Sequence, residues 1–399
     1  IYRRFLRFCF ATTLILFMKN LKLYNILIIV GACIASVIIE MMVLPRIIYI
    51  AKKKRLFDLP DKRKKHSEPI PRLGGISFTP VILLVSLFCL FIRFIFQFWD
   101  EELFFYRIPE TILLVCGLLI IYLLGAKDDL VGVSFKKKFV IQFIASLCIV
   151  GSGVYINNLY GLLGFHEIPG FIGVVLSIGL IMFTTNAINL IDGADGLASG
   201  ISAVALLIYG IMFSIYGMWT YAGIAFITLG LLAPFFYYNF AHPTRKIFMG
   251  DTGSLTLGFL LAFMILRISK YPPAVEIVPG GLILLVLSAL FIPLFDAFKV
   301  MVVRIAKGKG PFSPDRNHIH HKLIDLGFSK KKAVCLIVLT GALLVVANWI
   351  LLWYLDCNVL LILDLSFGVL VNLFIYRRIK RKEYSKQRQV EEELLELDS

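Results

Sequence analysis

Long apolar runs alternate with short polar segments along most of the chain. Many of these runs approach or exceed the roughly 20 residues that a helix needs to cross a bilayer. The pattern predicts about eleven membrane spans and therefore an all-α, polytopic integral membrane protein. The predicted spans are Tyr24–Ile48, Ile76–Trp99, Ile108–Ala126, Phe139–Ile156, Gly170–Ala187, Leu197–Tyr216, Tyr221–Tyr238, Leu255–Ile268, Val278–Val303, Ala333–Tyr354 and Val359–Tyr376.

The composition argues against a set of soluble domains. Hydrophobic residues make up 59% of the chain and charged residues 17%, against about 45–50% and about 25% in soluble domains. We predict one transmembrane domain over residues 24–376 and a charged cytoplasmic tail over residues 377–399. The segment 1–23 has an apolar core that is too short to span, so a signal-like helix, an interfacial helix and a start-site artefact stay open.

The positive charge is concentrated in a few hydrophilic segments. Most of the 41 Lys and Arg residues lie in five of them, whereas the loops between are nearly free of positive charge. Cytoplasmic loops of membrane proteins carry such an excess. The net charge of +15 thus indicates topology and contact with anionic ligands or lipids, and we predict no nucleic-acid partner. The five segments are Ala51–Gly75, Lys127–Lys138, Asn239–Asp251, Arg304–Lys332 and Arg377–Arg388.

Five polar motifs lie on the predicted cytoplasmic side. Their carboxylates are within a few residues of predicted membrane boundaries, where charges are costly unless they face a bundle interior or a water-filled cavity. We expect Asp128, Asp129, Asp192, Asp195 and Asp251 to converge on a single cytoplasmic pocket. The motifs are "KKHSEPIPRLGG" (Lys64–Gly75), "AKDDLVGVSFKKK" (Ala126–Lys138), "NAINLIDGADGLASG" (Asn186–Gly200), "KIFMGDTGS" (Lys246–Ser254) and "PFSPDRNHIHHKL" (Pro311–Leu323).

These residue types suit phosphoryl transfer. Carboxylate oxygens are ligands for Mg²⁺, which takes one or two of them and completes its shell with waters and substrate phosphates. Lys, Arg and His side chains suit the remaining phosphate charge, and glycines allow the backbone to approach a ligand. The motifs therefore predict Mg²⁺-assisted phosphoryl transfer at a membrane face.

Each motif also has a simpler interpretation. Asp128 and Asp129 could be a solvated pair at the end of a span, and "HIHH" could be a zinc site, although its spacing favours phosphate handling or acid–base work. Asn186, Asn189, Asp192 and Asp195 could form a capped turn. Their three-residue spacing predicts instead one polar stripe along a helix.

Taken in order, the five motifs resemble the polyprenyl-phosphate N-acetylhexosamine-1-phosphate transferases, a glycosyltransferase 4 type family that includes the peptidoglycan enzyme MraY. "PDRNHIHHKL" matches the WecA/TagO branch of undecaprenyl-phosphate GlcNAc-1-phosphate transferases. The resemblance implies transfer of N-acetylhexosamine-1-phosphate, most commonly GlcNAc-1-phosphate, from a UDP-sugar to undecaprenyl or another polyprenyl phosphate. UMP is released, and the step would initiate cell-envelope polysaccharide synthesis.

The resemblance also implies roles for individual residues. Asp251 would bind Mg²⁺, or Mn²⁺ as an alternative, and Asp129 and Asp195 would help to hold it. Asp128 would orient or deprotonate the lipid phosphate. The other implied donor-binding residues are Asn189, Asp192, Phe248 (stacking on uracil), Arg316 and His318, with His320 and His321 counted among the catalytic residues. Arg72 would attract the anionic substrates electrostatically, and a role in anchoring the chain at the membrane surface explains it equally well.

Other functions and details stay open. A transporter or flippase of anionic lipid-linked substrates is the main alternative, although transporter sites lie near the bilayer midplane and these carboxylates cluster at helix ends. A non-catalytic scaffold is disfavoured because every acidic motif position is intact.

We expect a multi-pass protein of the bacterial plasma membrane with its site on the cytoplasmic face. The choice of N-acetylhexosamine, direct or covalent transfer, and a homodimer are left open.

Overall fold

The computed structural model describes residues 2–58, 70–96, 101–242, 245–270, 280–308, 310 and 318–397. Within them, the chain forms thirteen α-helices and one short antiparallel strand pair, in which β1 (Phe57–Asp58) faces β2 (Ile70–Pro71). The helices are α1 (Tyr2–Lys53), α2 (Phe78–Ile95), α3 (Glu101–Val131), α4 (Phe135–Gly151), α5 (Gly170–Ile191), α6 (Leu197–Ile215), α7 (Trp219–Phe236), α8 (Gly250–Ser269), α9 (Gly281–Ser288), α10 (Phe291–Ala306), α11 (Ile319–Asp325), α12 (Lys330–Leu351) and α13 (Cys357–Leu397).

The predicted all-α, polytopic membrane fold is confirmed. Among the described residues, nine helices are long and apolar enough to cross a membrane, or ten if α9 and α10, which meet at a bend of 77°, form one broken span. The remaining predicted span, Phe139–Ile156, corresponds to α4, which has 17 residues and begins with three lysines before its apolar part. The count of eleven stays a prediction.

Two helices run through the predicted domain boundaries. α1 continues without a break from Tyr2 to Lys53, across the boundary at residue 23. α13 continues from Cys357 to Leu397, through most of the charged segment predicted as a tail.

Backbone contacts divide the chain into two compact units. The first contains Ile1–Val154 and Leu206–Thr256. In it, α1 packs along α7, α2 packs on both, and α3 packs on α4. The close crossing of α1 and α7 needs Gly230, because a Cβ there would lie 2.2 Å from Ser36 Oγ.

The second unit contains Tyr155–Ala205 and Leu257–Ser399. Its helix α10 packs on α5, α12 and α13, and the short α11 packs on α12 and α13. A buried polar contact joins three of its helices: Asn348 of α12 donates to Ser288 Oγ of α9 and to Asp364 Oδ2 of α13, both at 2.7 Å. This contact supplies a partner for a carboxylate that lies inside a membrane span.

Candidate active site

The "PIPRLGG" and "KIFMGD" motifs pair through their backbones in the first unit. Phe248 N–H donates to Pro71 O at 2.8 Å, and Gly74 N–H donates back to Phe248 O at 2.9 Å. Gly75 N–H donates to the Met249 carbonyl at 2.8 Å. A Cβ on Gly75 would lie only 2.1 Å from Gly253 Cα, so the glycines of both motifs are required for this close approach.

Asp129 holds the beginning of α8. One of its carboxylate oxygens accepts the Asp251 N–H at 2.8 Å, and the other accepts the Thr252 N–H at 2.9 Å and the Thr252 hydroxyl at 2.6 Å. The carboxylate thus caps amide groups that have no partner within their own helix. Gly250 allows this contact because its φ is +73° and a Cβ would lie 2.6 Å from Asp129 Oδ2.

Lys138 joins two carboxylates that come from different helices. Its Nζ contacts Asp128 Oδ2 and lies 2.9 Å from Asp251 Oδ2. The other oxygen of Asp128 accepts the Val133 N–H at 2.6 Å in the turn that links α3 to α4. Together, Asp128, Asp129, Asp251 and Lys138 form what we term the aspartate cluster.

The helix dipoles explain why Asp128 and Lys138 stabilise each other. Acidic residues are unfavourable at the carboxyl end of a helix and basic residues at the amino end. Asp128 and Asp129 nevertheless lie in the last turn of α3, and Lys136 to Lys138 lie in the first turn of α4. The contact between Asp128 and Lys138 offsets both costs.

Sequence reasoning did not single out Lys138, which was grouped with the other basic residues of its segment. A signal was present, since three lysines at the start of an apolar helix oppose its dipole. The structure separates them: Lys136 and Lys137 are exposed, whereas Lys138 is half-buried.

The "NAINLIDGADG" motif lies in the second unit, where its predicted helical stripe is only half right. Asn186 and Asn189 are in α5, but the helix ends at Ile191 and residues 192–196 form a turn. The turn includes Gly196, whose φ of +82° is outside the right-handed helical region and which directly precedes the start of α6. Asp195 therefore lies in the turn and not on the helix.

The histidine motif meets α10 in a second set of polar groups, which we term the histidine cluster: the buried Asp296, His318 and His320 and the half-buried Lys299. His318 Nδ1 lies 2.9 Å from Asp296 Oδ2, and Lys299 Nζ lies 2.5 Å from Asp296 Oδ1. His320 is 2% exposed, and neither of its ring nitrogens has a hydrogen-bond partner within the described part of the chain. Its ring lies beside Gly193, whose added Cβ would be 3.8 Å from His320 Nε2.

The surroundings of His320 keep its ring neutral. Burial and the neighbouring His321 and His318 lower the pKa of His320 to about 3. At neutral pH the ring can therefore donate one hydrogen bond and accept another. A buried imidazole with both nitrogens available is suited to a polar ligand.

The structure thus places the predicted residues in two groups. Asp128, Asp129 and Asp251 meet in the first unit, where the Phe248 backbone pairs with those of Pro71 and Gly74, on either side of Arg72 in the sequence. In the second unit His320 adjoins the turn of Asp192 and Asp195, and its ring centre lies 6.0 Å from that of His318 and 4.1 Å from that of His321. Arg316 lies outside the described residues. The convergence of all five carboxylates on one pocket, and the role of each residue, stay predictions.

Within the described parts of the chain, no three His, Cys, Asp or Glu side chains form a ready-made metal site. The donor chemistry nevertheless fits Mg²⁺, because nucleotide sites supply one or two carboxylates and leave the other positions to water and phosphate. Asp128 and Asp251 bring two such carboxylates to one cation, the Lys138 ammonium.

Comparisons with known proteins show the family of the chain. Residues 111–269 match the model of a family described as glycosyl transferase family 4. The undecaprenyl-phosphate alpha-N-acetylglucosaminyl 1-phosphate transferase of Escherichia coli K12 is 32% identical over 301 residues, which cover 74% of this chain and 76% of that protein. The probable undecaprenyl-phosphate N-acetylglucosaminyl 1-phosphate transferase of Bacillus subtilis strain 168 is 32% identical over 322 residues, which cover 78% and 82%.

The apolar helices and the carboxylates at their ends define a polytopic membrane enzyme of the phospho-sugar transferase class. At this identity and coverage, the chain belongs to glycosyl transferase family 4. The resemblance inferred from the five motifs is confirmed.

Proposed function

We propose that this protein transfers GlcNAc-1-phosphate from UDP-GlcNAc to undecaprenyl phosphate and releases UMP, a step that would initiate cell-envelope polysaccharide synthesis. The relatives, named as undecaprenyl-phosphate N-acetylglucosaminyl 1-phosphate transferases, support the substrates. The observation that carries the proposal is the contact of Lys138 with both Asp128 and Asp251. It gathers a cation and carboxylates from three helices at one point, as phosphoryl transfer requires.

The residues of the aspartate cluster have distinct tasks in this proposal. Asp251 would hold Mg²⁺, or Mn²⁺ as an alternative. Asp128, for which the resemblance implies a role in orienting or deprotonating the lipid phosphate, lies beside Asp251 on Lys138 and could supply a second carboxylate. When bound, the metal neutralises charge on the phosphates of the donor. The three hydrogen bonds that Asp129 already accepts favour a positioning task at the start of α8, and its predicted role as a metal ligand is secondary. Lys138 attracts the acceptor phosphate and orients it electrostatically.

The second unit would bind the donor. Asp192, Asp195 and Asn189 are assigned to the nucleotide and its metal, with Asp195 as a further predicted ligand. His320 can offer both ring nitrogens to the sugar or a phosphate. The substrate-binding or catalytic assignments made from the sequence are kept for Phe248, Arg72, Arg316, His318 and His321.

We propose direct transfer. An oxygen of the acceptor phosphate attacks the phosphorus that carries the sugar and forms a new O–P bond. The bond from that phosphorus to the bridging oxygen breaks, and UMP leaves with the oxygen and the bonding electron pair. A phosphomonoester has its second pKa at about 6, so the acceptor is largely dianionic at neutral pH and needs alignment more than deprotonation. Isolation of a phospho-sugar on the protein without acceptor would contradict this mechanism.

The proposed site faces the cytoplasm of a bacterial plasma membrane. The basic segments support this orientation because positive residues are retained on the cytoplasmic side. We leave open whether the enzyme acts as a homodimer.

The proposal is tested with the full chain purified in detergent. UDP-GlcNAc and undecaprenyl phosphate should yield UMP with Mg²⁺ or Mn²⁺, and chelation of the metal should stop the reaction. Asp251→Asn should lower the rate of UMP release by at least about 100- to 1000-fold, because a group aimed at developing charge is lost.

The matched control is Asp325→Asn, which changes an exposed carboxylate on α11 and should leave the rate within about twofold. Normal turnover by Asp251→Asn would disprove the metal assignment. Failure of every UDP-sugar in a panel to yield UMP would disprove the proposed activity, and a preference for another N-acetylhexosamine would correct the donor.

A further inference from the structure

The carboxylate of Asp296 lies at the centre of a buried network in the second unit. Asp296 is in α10 and is 2% exposed. Its Oδ2 lies 2.9 Å from His318 Nδ1, and both of its oxygens accept the backbone N–H of Ile319, at 3.2 and 3.3 Å. One carboxylate therefore fixes the His318 ring and the first residue of α11.

The network extends to the last helix. Lys299 Nζ, which contacts Asp296 Oδ1, also donates to Asn372 Oδ1 of α13 at 3.0 Å. The amide of Asn372 is held in this orientation because its Nδ2 donates to the Gly368 carbonyl at 2.9 Å. A relay of buried and half-buried polar contacts thus runs from α13 through α10 to the histidine motif.

A carboxylate bound to Nδ1 determines what an imidazole presents to a ligand. It keeps Nδ1 as the donor, holds the plane of the ring, and leaves Nε2 to face other groups. The Asp296 carboxylate also accepts the Ile319 N–H. This bond determines the path of the chain into residues 319 to 321, and so the placement of His320 beside Gly193. Asp296 can orient His318 in this way without contacting a substrate.

We infer that Asp296 is a positioning residue for the histidine motif, acting through His318, and that Lys299 and Asn372 support it. Only the kinetic predictions that follow from this inference rest on the proposed function. It assigns a task to residues outside the five motifs, and it gives α13 a part in the arrangement of the site. Each contact in the relay links helices of the same unit.

A double-mutant cycle in the purified full-length enzyme tests the inference. Asp296→Asn should lower the kcat/KM for UDP-GlcNAc by about 10- to 100-fold, the usual effect of removing a partner that orients a functional histidine. In a His318→Gln background the same substitution should lower it by about threefold or less, because the group through which it acts is absent. An equal loss in both backgrounds would overturn the inference.

The matched control is Asp364→Asn, which alters a different buried carboxylate of the same unit, bound to Asn348. It can change stability, but its effect on kcat/KM should be the same with and without His318→Gln. If Asp296→Asn does not fold, Asn372→Leu takes its place, with an expected loss of about 3- to 10-fold that His318→Gln abolishes. A loss that persists in that background would overturn the role of α13.

A second measurement does not depend on turnover. The chain has six histidines, and in a ¹⁵N-histidine-labelled sample the His318 signals are those that disappear in His318→Gln. They should show a protonated Nδ1, and this resonance should shift in Asp296→Asn but not in Asp364→Asn. An unchanged Nδ1 resonance would overturn the inference even in an active enzyme, whereas a shift in a protein without transferase activity would support it while the proposed function failed.

Discussion

The aspartate cluster and the histidine cluster differ in whether their polar groups have partners within the protein. In the aspartate cluster, the ammonium of Lys138 contacts both Asp128 and Asp251. In the histidine cluster, Asp296 is bonded on both oxygens, yet the adjacent ring of His320 has no hydrogen-bond partner among the described residues. In the aspartate cluster a lysine of the protein contacts two of the carboxylates, whereas the histidine cluster leaves the ring nitrogens of His320 for a ligand.

This difference suggests different contributions to the reaction. The contacts within the aspartate cluster are arranged before the substrate arrives, and such preorganised charge is a large source of catalysis. An unsatisfied buried group costs free energy in the free protein, and a ligand that binds to it recovers that cost. We therefore expect the aspartate cluster to affect mainly kcat and His320 to affect mainly donor binding.

The largest effect is expected from the lysine of the aspartate cluster. Lys138→Met should lower kcat by about 100- to 1000-fold, because Asp128 and Asp251 would lose the ammonium that contacts both and the acceptor phosphate would lose a cation. Lys137→Met, one residue earlier and exposed, should leave kcat within about twofold. Steady-state UMP release by both variants gives the comparison, and equal losses would mean that only the basic charge of the segment matters.

A smaller effect is expected from the unsatisfied histidine. His320→Gln should raise the KM for UDP-GlcNAc by about 10- to 100-fold, the equivalent of one hydrogen bond to a charged group. The KM for undecaprenyl phosphate should stay within about twofold. The exposed His166→Gln serves as control, and a fall in kcat with an unchanged donor KM would remove the proposed distinction between the clusters.

The smallest expected effect is on stability. Gly250 and Gly132 both have a left-handed φ, +73° and +78°, but only Gly250 is crowded, by the Asp129 carboxylate and the Arg72 carbonyl. Gly132→Ala should lower the free energy of unfolding by about 1–2 kcal/mol. Gly250→Ala should lower it further and should also reduce activity, because Asp129 must move away from the start of α8.

Thermal unfolding in detergent and UMP release measure these effects for both variants. Equal unfolding temperatures and equal activities would show that the cap on α8 tolerates displacement, and that the aspartate cluster is less tightly arranged than its hydrogen bonds indicate.

Local sequence patterns predicted much of the fold. Apolar runs of the required length located ten of the eleven predicted spans at helices, or at a bent helix pair, that could cross a membrane. The bend between α9 and α10 was not predicted, because hydropathy measures apolar length and not direction. The end of α5 at Ile191 was also missed: spacing alone extended the polar stripe, whereas the turn at residues 192–196 ends the helix.

The site was predicted in part. Asp128, Asp129 and Asp251 were identified from their motifs, and their proximity is observed. Lys138 was missed because three adjacent lysines are equivalent in sequence, and its partner Asp251 is 113 positions away. Asp296 was missed because a single carboxylate in an apolar helix has no local pattern that distinguishes a structural charge from a positioning one.

By itself, the sequence determined that this protein is a helical membrane protein with five polar motifs of a sugar-phosphate transferase, because hydropathy and motif spacing are local properties. Only the tertiary structure decided which lysine meets the carboxylates, which histidine is held and which is left unsatisfied. Those outcomes depend on where the ends of distant helices meet. Close packing at glycines such as Gly125, where a Cβ would lie 2.4 Å from Thr252 Cα, determines that meeting point.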